Sequence, residues 1–309
     1  MIKEERMLQY SPSAVVGIGM STVDYLFIVP DLPAFGKSVR ATEYLRQPGG
    51  PVSTALVTLA RLGIPTCFIG KVGDDLDGQF IKEEFEKEGV DTSQLEVELG
   101  RLSRTTLVLI DQETGERCFT THLSTCTSIG LKDTDREKIT LAKILHLDDA
   151  DQVSIQAAEW AKAAGVSVVF DGTWYRESLL DLLRFVDVAI VSDVLVQKWM
   201  PGMSPEIITQ KLCDFGVRMA IVTLGNQGCV ARWNQSTSAF SAFPVDVVDT
   251  TGAGDAFHGG FIYGLLQDWN PEKTIQFASA VAAINCRSLG GRSGLPTLET
   301  VEQFLGTFT

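Results

Sequence analysis

The chain has 309 residues, 45% hydrophobic and 21% charged, enough to bury a large core. A formal net charge of −13 opposes binding to nucleic acid, where affinity rests on Lys and Arg neutralising phosphates. No run approaches the roughly 18 apolar residues that span a bilayer, and the start MIKEERMLQYSPSAV lacks the apolar core of a secretory signal. A cytoplasmic location and no membrane partner are expected. Cys67, Cys118, Cys126, Cys213, Cys229 and Cys286 form no CxxC pair, and His122, His146 and His258 lack metal-ligand spacing, so neither disulfides nor a zinc site is expected.

In chain order, AVVGIG (14–19), CFIG (67–70), KILHL (143–147), VSVVF (166–170), VAIV (188–191) and MAIVTL (219–224) are short, nearly continuous apolar runs. Such runs suit parallel strands buried on both faces. Between them lie amphipathic stretches of helical length, STALVTLARLG, FIKEEFEKEG and SIQAAEWAKAAG, each closed by a glycine able to cap a helix. Alternation of strand and helix predicts a layered α/β sandwich. Two regions break the rhythm: VDYLFIV with VRATEYL, and TTLVLID with ERCFTTHL, read as hairpins, the second closed by a QETG turn. They predict a small separate sheet placed to act as a lid. After the ARW and SAF strands near 230–243 the chain becomes mostly helical.

Chemistry concentrates in VDVVDTTGAGDAFHGGFIYGLL, residues 245–266. Phe257, Phe261, Ile262 and Leu265 recur at helical spacing, so a helix should begin close to Gly252. Gly252, Ala253 and Gly254 would then offer backbone N–H groups at its N-terminus, where an anion is favoured. Asp255 in the first turn would repel that anion unless it serves as a proton acceptor for an attacking hydroxyl. An acid there also complements the helix dipole, and the helix alone does not separate the two readings.

The full string DTTGAGD resembles the C-terminal signature of the ribokinase-like, or PfkB-type, carbohydrate kinases. QPGGPVSTALVTLARLG (47–63), GKVGDDLDGQF (70–80) and GMSTVDYLF (19–27) resemble further signatures of that family, so the similarity spans most of the chain. It implies a ribokinase-like three-layer α/β/α sandwich over residues 1–309 as one carbohydrate kinase domain, with lid strands from about 22–47 and 104–123. The lid is also the candidate surface for a homodimer.

By that resemblance, Asp255 is the base of an ATP-dependent sugar kinase, and Gly252, Ala253 and Gly254 form the hole for the transferred phosphoryl group. Asp24 resembles the sugar-binding carboxylate, and Gly49 and Gly50 the diglycine that lets backbone approach the sugar. Thr54 stands where many members carry Asn. VTLGNQGC (222–229) resembles the turn along the nucleotide phosphates, nominating Thr223 and Gly225, with Asn285 nominated for adenine. Asp249 and Thr251, with the GGRSG loop, resemble a monovalent-cation site, from which potassium activation is expected. The family's Asn-x-x-Glu element for magnesium is missing, since Ser192 and Leu195 occupy its ends, and Asp193 is the substitute candidate. GIGMST and FGKS fail as dinucleotide and P-loop motifs.

The nearest branch by resemblance is sulfofructose kinase, through DTTGAGDAFHG, FASAVAAINC, GGRSGLP and the Gly36–Lys37 pair. A ketose-like sugar, neutral or sulfonated, is therefore expected, with Lys37 meeting an anionic end. The acidic LDDAD (147–151) stands against an anionic substrate, and Asp149 occupies the position where that branch is expected to use arginine. Nucleoside kinase and a non-catalytic sensor on the same fold are the rival readings. The intact Asp255 and flanking glycines favour an enzyme.

Overall fold

Strands that are apolar on both sides must be covered on both sides, and the fold does this with two helical layers. The computed structural model describes residues 13–114 and 117–308. Residues 1–12 and 309 lie outside them, as do Gly115 of the expected QETG turn and Glu116 of the expected ERCFTTHL strand. Strand β1 (Val15–Ile18) is flanked in parallel by β4 (Thr66–Gly73) and β8 (Ile144–Leu147). From β8 the sheet continues in parallel through β9 (Ser167–Gly172), β10 (Val188–Ser192) and β11 (Met219–Thr223). The antiparallel β12 (Cys229–Trp233) and β13 (Ser236–Phe240) close one edge, and β5 (Asp91–Glu98) closes the other of nine strands. Polar DTSQLEVE gave no strand signal in the sequence, because an edge strand needs an apolar pattern on little of its surface.

The two-residue period of a strand sorts the core. Val15, Ile144 and Ile190 join one apolar cluster while their neighbours Val16, Leu145 and Val191 join the other. The first cluster includes α1 (Pro51–Arg61), α8 (Ala253–Leu266) and α9 (Pro271–Asn285). The second includes α4 (Gln152–Ala163) and α7 (Pro205–Asp214). This is the expected three-layer sandwich. No helix among the described residues is long and apolar enough to cross a membrane.

A second sheet of four strands has the order β3-β2-β6-β7. β2 (Thr22–Val29) pairs antiparallel with β3 (Glu43–Gly49), and β6 (Thr105–Asp111) antiparallel with β7 (Arg117–His122), as the hairpin reading expected. β2 and β6 join them in parallel. Alternation places Asp24, Leu26, Gln47, Val108 and Arg117 on one face, packed around Leu26, Val108 and Ile110. Tyr44 and Leu107 lie on the other face and are exposed.

Helix α8 is wedged between α1 and α9, and small residues make the wedge possible. A Cβ on Gly259 would lie 2.5 Å from Thr58 Cβ, and one on Gly260 2.9 Å from Ala278 Cα. We expect Gly259→Ala to destabilise the fold by a net ~1–2 kcal/mol, overpacking outweighing the gain in helix propensity. Urea unfolding checks this against Gly254→Ala, where nothing lies within 4 Å of an added Cβ.

Candidate active site

The DTTGAGD segment enters α8 through Gly252, whose φ of 72° is the left-handed conformation that favours glycine. A Cβ there would strike Gly291, so the 290–292 loop packs directly on the helix start. Ala253 N–H is bonded to the Thr250 carbonyl at 3.2 Å. Gly254 is exposed, and its N–H has no intrahelical partner by helix geometry, which makes it a donor for an anion.

Asp255 keeps an accessible edge but is otherwise packed in protein. Its carboxyl is pushed up to about 7, first by burial and then by repulsion from Asp171, with Arg292 pulling the other way. Asp24 on β2 is also raised to about 7, by burial, against the attraction of Arg292, with Asp255 adding repulsion. Two carboxylates thus sense each other across a guanidinium that sequence reasoning passed over. Arg292 is buried, donating Nε to Thr54 Oγ1 at 3.2 Å and Nη2 to the Gly49 carbonyl at 3.3 Å. Burial lowers it to about 10, so it stays charged at neutral pH, and its Nη1 has no partner among the described residues. The signal available in the sequence was an arginine inside the glycine-rich GGRSG.

Gly49 lies against Asp24, where a Cβ would collide with the carboxylate, and Gly50, with φ 104°, lies against the Met20 carbonyl. Thr54 is buried and faces Arg292, so it orients the guanidinium and has no open face of its own. Lys37 is exposed in the connection between β2 and β3, outside the cleft linings, because that long connection runs outward.

One cleft of about 490 Å³ is lined by Met20, Arg104, Asp148, Asp149, Trp174 and Arg176, among others. Asp148 is buried and accepts from Met20 N at 3.1 Å and Val52 N at 3.2 Å, fastening β1's exit to the start of α1. Asp149 is held bidentately by Arg176. Arg104 brings in a guanidinium whose Nε has no partner among the described residues.

A second cleft of about 520 Å³ contains Thr223, Gly225, Phe243, Val247, Ala253, Gly254, Ala282 and Cys286. Asn285 does not line it. Ser279, Ala282, Ala283 and Cys286 follow the helical period on the open face of α9, which turns Asn285 inward. Its Nδ2 donates to the carbonyls of Thr251 at 3.3 Å and Gly291 at 3.1 Å. Asp193 stands exposed in the first turn of α6 (Asp193–Trp199), just past the end of β10, which pairs with Thr223.

Asp249 does not have the open coordination a cation needs. Its Oδ1 accepts from Thr251 N at 2.9 Å and Thr251 Oγ1 at 2.8 Å, its Oδ2 accepts from Gly290 N at 2.9 Å, and the Arg117 guanidinium stands 3.6 Å from Oδ1. The expected monovalent cation therefore does not fit. His146, Asp171 and His258 form a buried group behind Asp255, with His258 Nε2 3.3 Å from Asp171 Oδ2. Its nitrogen ligands and burial suit magnesium poorly.

The model of the pfkB family of carbohydrate kinases matches residues 13–298. This chain belongs to that family. It is a carbohydrate kinase, 28% identical over 92% of its length to fructokinase-1 of Oryza sativa subsp. japonica, covering 94% of that protein. It is also 28% identical over 87% of its length to 5-dehydro-2-deoxygluconokinase of Geobacillus thermodenitrificans, covering 86% of that one. The structure of Arabidopsis thaliana ribokinase in complex with ribose and ATP has the same fold, with a TM-score of 0.84 and 24% identity over 95% of this chain and 98% of that one.

The electrostatics of Asp255 have a consequence for this kinase that needs no substrate. A carboxyl raised from 3.8 to about 7 on folding holds its proton in the folded state across that window. Its ionisation therefore costs stability as pH rises through the window. The unfolding free energy of Asp255→Asn minus that of wild type should grow between pH 4.5 and 7.5, read from urea midpoints. A difference independent of pH would show that burial does not perturb this acid.

Proposed function

We propose that this carbohydrate kinase transfers the γ-phosphate of ATP to a primary hydroxyl of a ketose-like sugar, with Asp255 as the base. The observation that carries it is a carboxylate poised near neutral pH at a helix N-terminus, coupled to a second carboxylate, Asp24, that sits against Gly49. Asp24 can accept two sugar hydroxyls. Asp255 takes the proton of the attacking hydroxyl as its oxygen bonds to the γ-phosphorus and the bond to the departing ADP oxygen breaks. The start of α8 receives the negative charge of the transferred group. Thr223, Gly225 and the α9 face through Ala282 and Cys286 form the nucleotide cleft. Magnesium would neutralise the phosphate charge when bound, and Asp193 is the acid proposed to organise it through water. The small sheet acts as the lid, and its exposed Tyr44 and Leu107 offer the surface for a second copy.

Asp255→Asn should lower kcat by ~10²–10⁴ while leaving sugar and nucleotide binding largely intact, since shape is kept and the proton acceptor lost. Steady-state rates with calorimetric binding check it. A variant keeping more than half of the wild-type kcat would remove Asp255 from the role.

Among substrates, the cleft favours a sugar with an anionic distal group. Asp149, which counted against one in the sequence, is neutralised by Arg176, and the Arg104 guanidinium lines the same cleft. Arg104→Met should cost an anionic sugar about 1.5–3 kcal/mol more in kcat/KM than fructose, the scale of a charged hydrogen bond. Equal losses would favour a neutral sugar. Trp174 and Tyr175, part-exposed at the same cleft, give the nucleoside reading its one support, and adenosine in the same assay tests it.

A further inference from the structure

The place where a monovalent cation was expected is filled by this chain's own donors, and one of them arrives from the other sheet. Arg117 lies on edge strand β7, on the face that also bears Asp24 and Val108. Its Nη1 donates to Thr251 Oγ1 at 3.0 Å and stands 3.6 Å from Asp249 Oδ1. The Thr251 hydroxyl donates in turn to Asp249 Oδ1 at 2.8 Å, so guanidinium, hydroxyl and carboxylate form one hydrogen-bonded chain that ends on the Gly290 N–H. Asn285 Nδ2 meanwhile occupies the carbonyls of Thr251 and Gly291. The side chain of Asp249 is almost fully buried, so a second positive charge beside Arg117 would be repelled with little screening.

We propose that Arg117 takes the place of the monovalent cation in this kinase, supplying from the small sheet the positive charge that holds the Asp249–Gly252 turn at the start of α8. The inference rests on the kinase reading above and deepens it. Two consequences follow from the connectivity. Turnover is indifferent to potassium, and the fit of the small sheet over the cleft is coupled to the shape of the anion hole, because one guanidinium joins them. Arg117 is a positioning residue here, acting through Thr251 and Asp249.

The experiment compares wild type and Arg117→Met in potassium chloride and in tetramethylammonium chloride at equal ionic strength. Turnover and, with no substrate present, the thermal midpoint are both measured. Wild type should turn over equally in the two salts, within about twofold, and its midpoint should not respond specifically to potassium, as expected when no ion binds the native state. Arg117→Met should lose ~10²-fold in kcat in tetramethylammonium, the scale of one electrostatic donor at such a hole, and regain at least a tenth of the wild-type rate when potassium fills the vacated place. A potassium-raised midpoint in wild type, with the ion recruiting the unpartnered Asn285 Oδ1, would overturn the proposal, as would wild-type activation by potassium. Loss in Arg117→Met that potassium does not restore, or no loss at all, would do the same. Should Arg117→Met fail to fold, Arg117→Lys keeps a charge and must remain potassium-indifferent; a potassium requirement there overturns it. The midpoint is independent of catalysis, so absence of any kinase activity would count against the proposed function while leaving the ion-binding result to decide this inference.

Discussion

Arg292 is the charge on which the rest of the site depends. A guanidinium buried in a protein interior carries a large desolvation cost, and it is tolerated only where carboxylates and hydrogen bonds surround it. Here Asp24 from the small sheet and Asp255 from α8 both attract it, while Thr54 and the Gly49 carbonyl fix its plane. Without that charge, two carboxylates close enough to repel each other would both be driven toward the neutral form. With it, attraction offsets only part of the burial penalty, which leaves each acid raised to near neutral pH and no further.

The same loop sets position as well as charge. Gly290 N–H ties to Asp249, Gly291 packs on Gly252, and Arg292 N–H donates to Gln47 at the end of β3. The start of α8 is thus gripped by the C-terminal loop, and the body of the helix is gripped by α1 and α9 through Gly259 and Gly260. Asp255, the proposed base, is thereby placed on a rigid element held at both ends. Asp148 does comparable service at the neighbouring cleft, joining the segment after β1 to the start of α1.

Local signals were strong wherever one element sufficed to produce them. The apolar runs gave the strands, since a strand covered on both faces is apolar throughout. The start of α8 was readable because glycines, an acid and an apolar helical period coincide in one stretch. Polar β5 was not, because its pairing with β4 is an edge contact that leaves little imprint on composition. Thr54 and Asn285 carried misleading signals of a common kind. Each sits in the segment of its expected role, yet the helical rotation of α1 and α9 turns it toward Arg292 or Thr251, away from either cleft.

By itself the sequence determined the layered α/β architecture, the second sheet of paired hairpins, the family and the helix start that carries Asp255, because periodicity and contiguous motifs encode these. Only the tertiary structure decided which charges meet. Arg292 and Asp24 are 268 positions apart and Arg117 and Thr251 are 134 apart, and nothing local marks either pair. Long-range electrostatics depends on how sheets and loops stack, and stacking is settled by the whole core at once. For that reason the acid was legible in the sequence, while the charges that tune it were not.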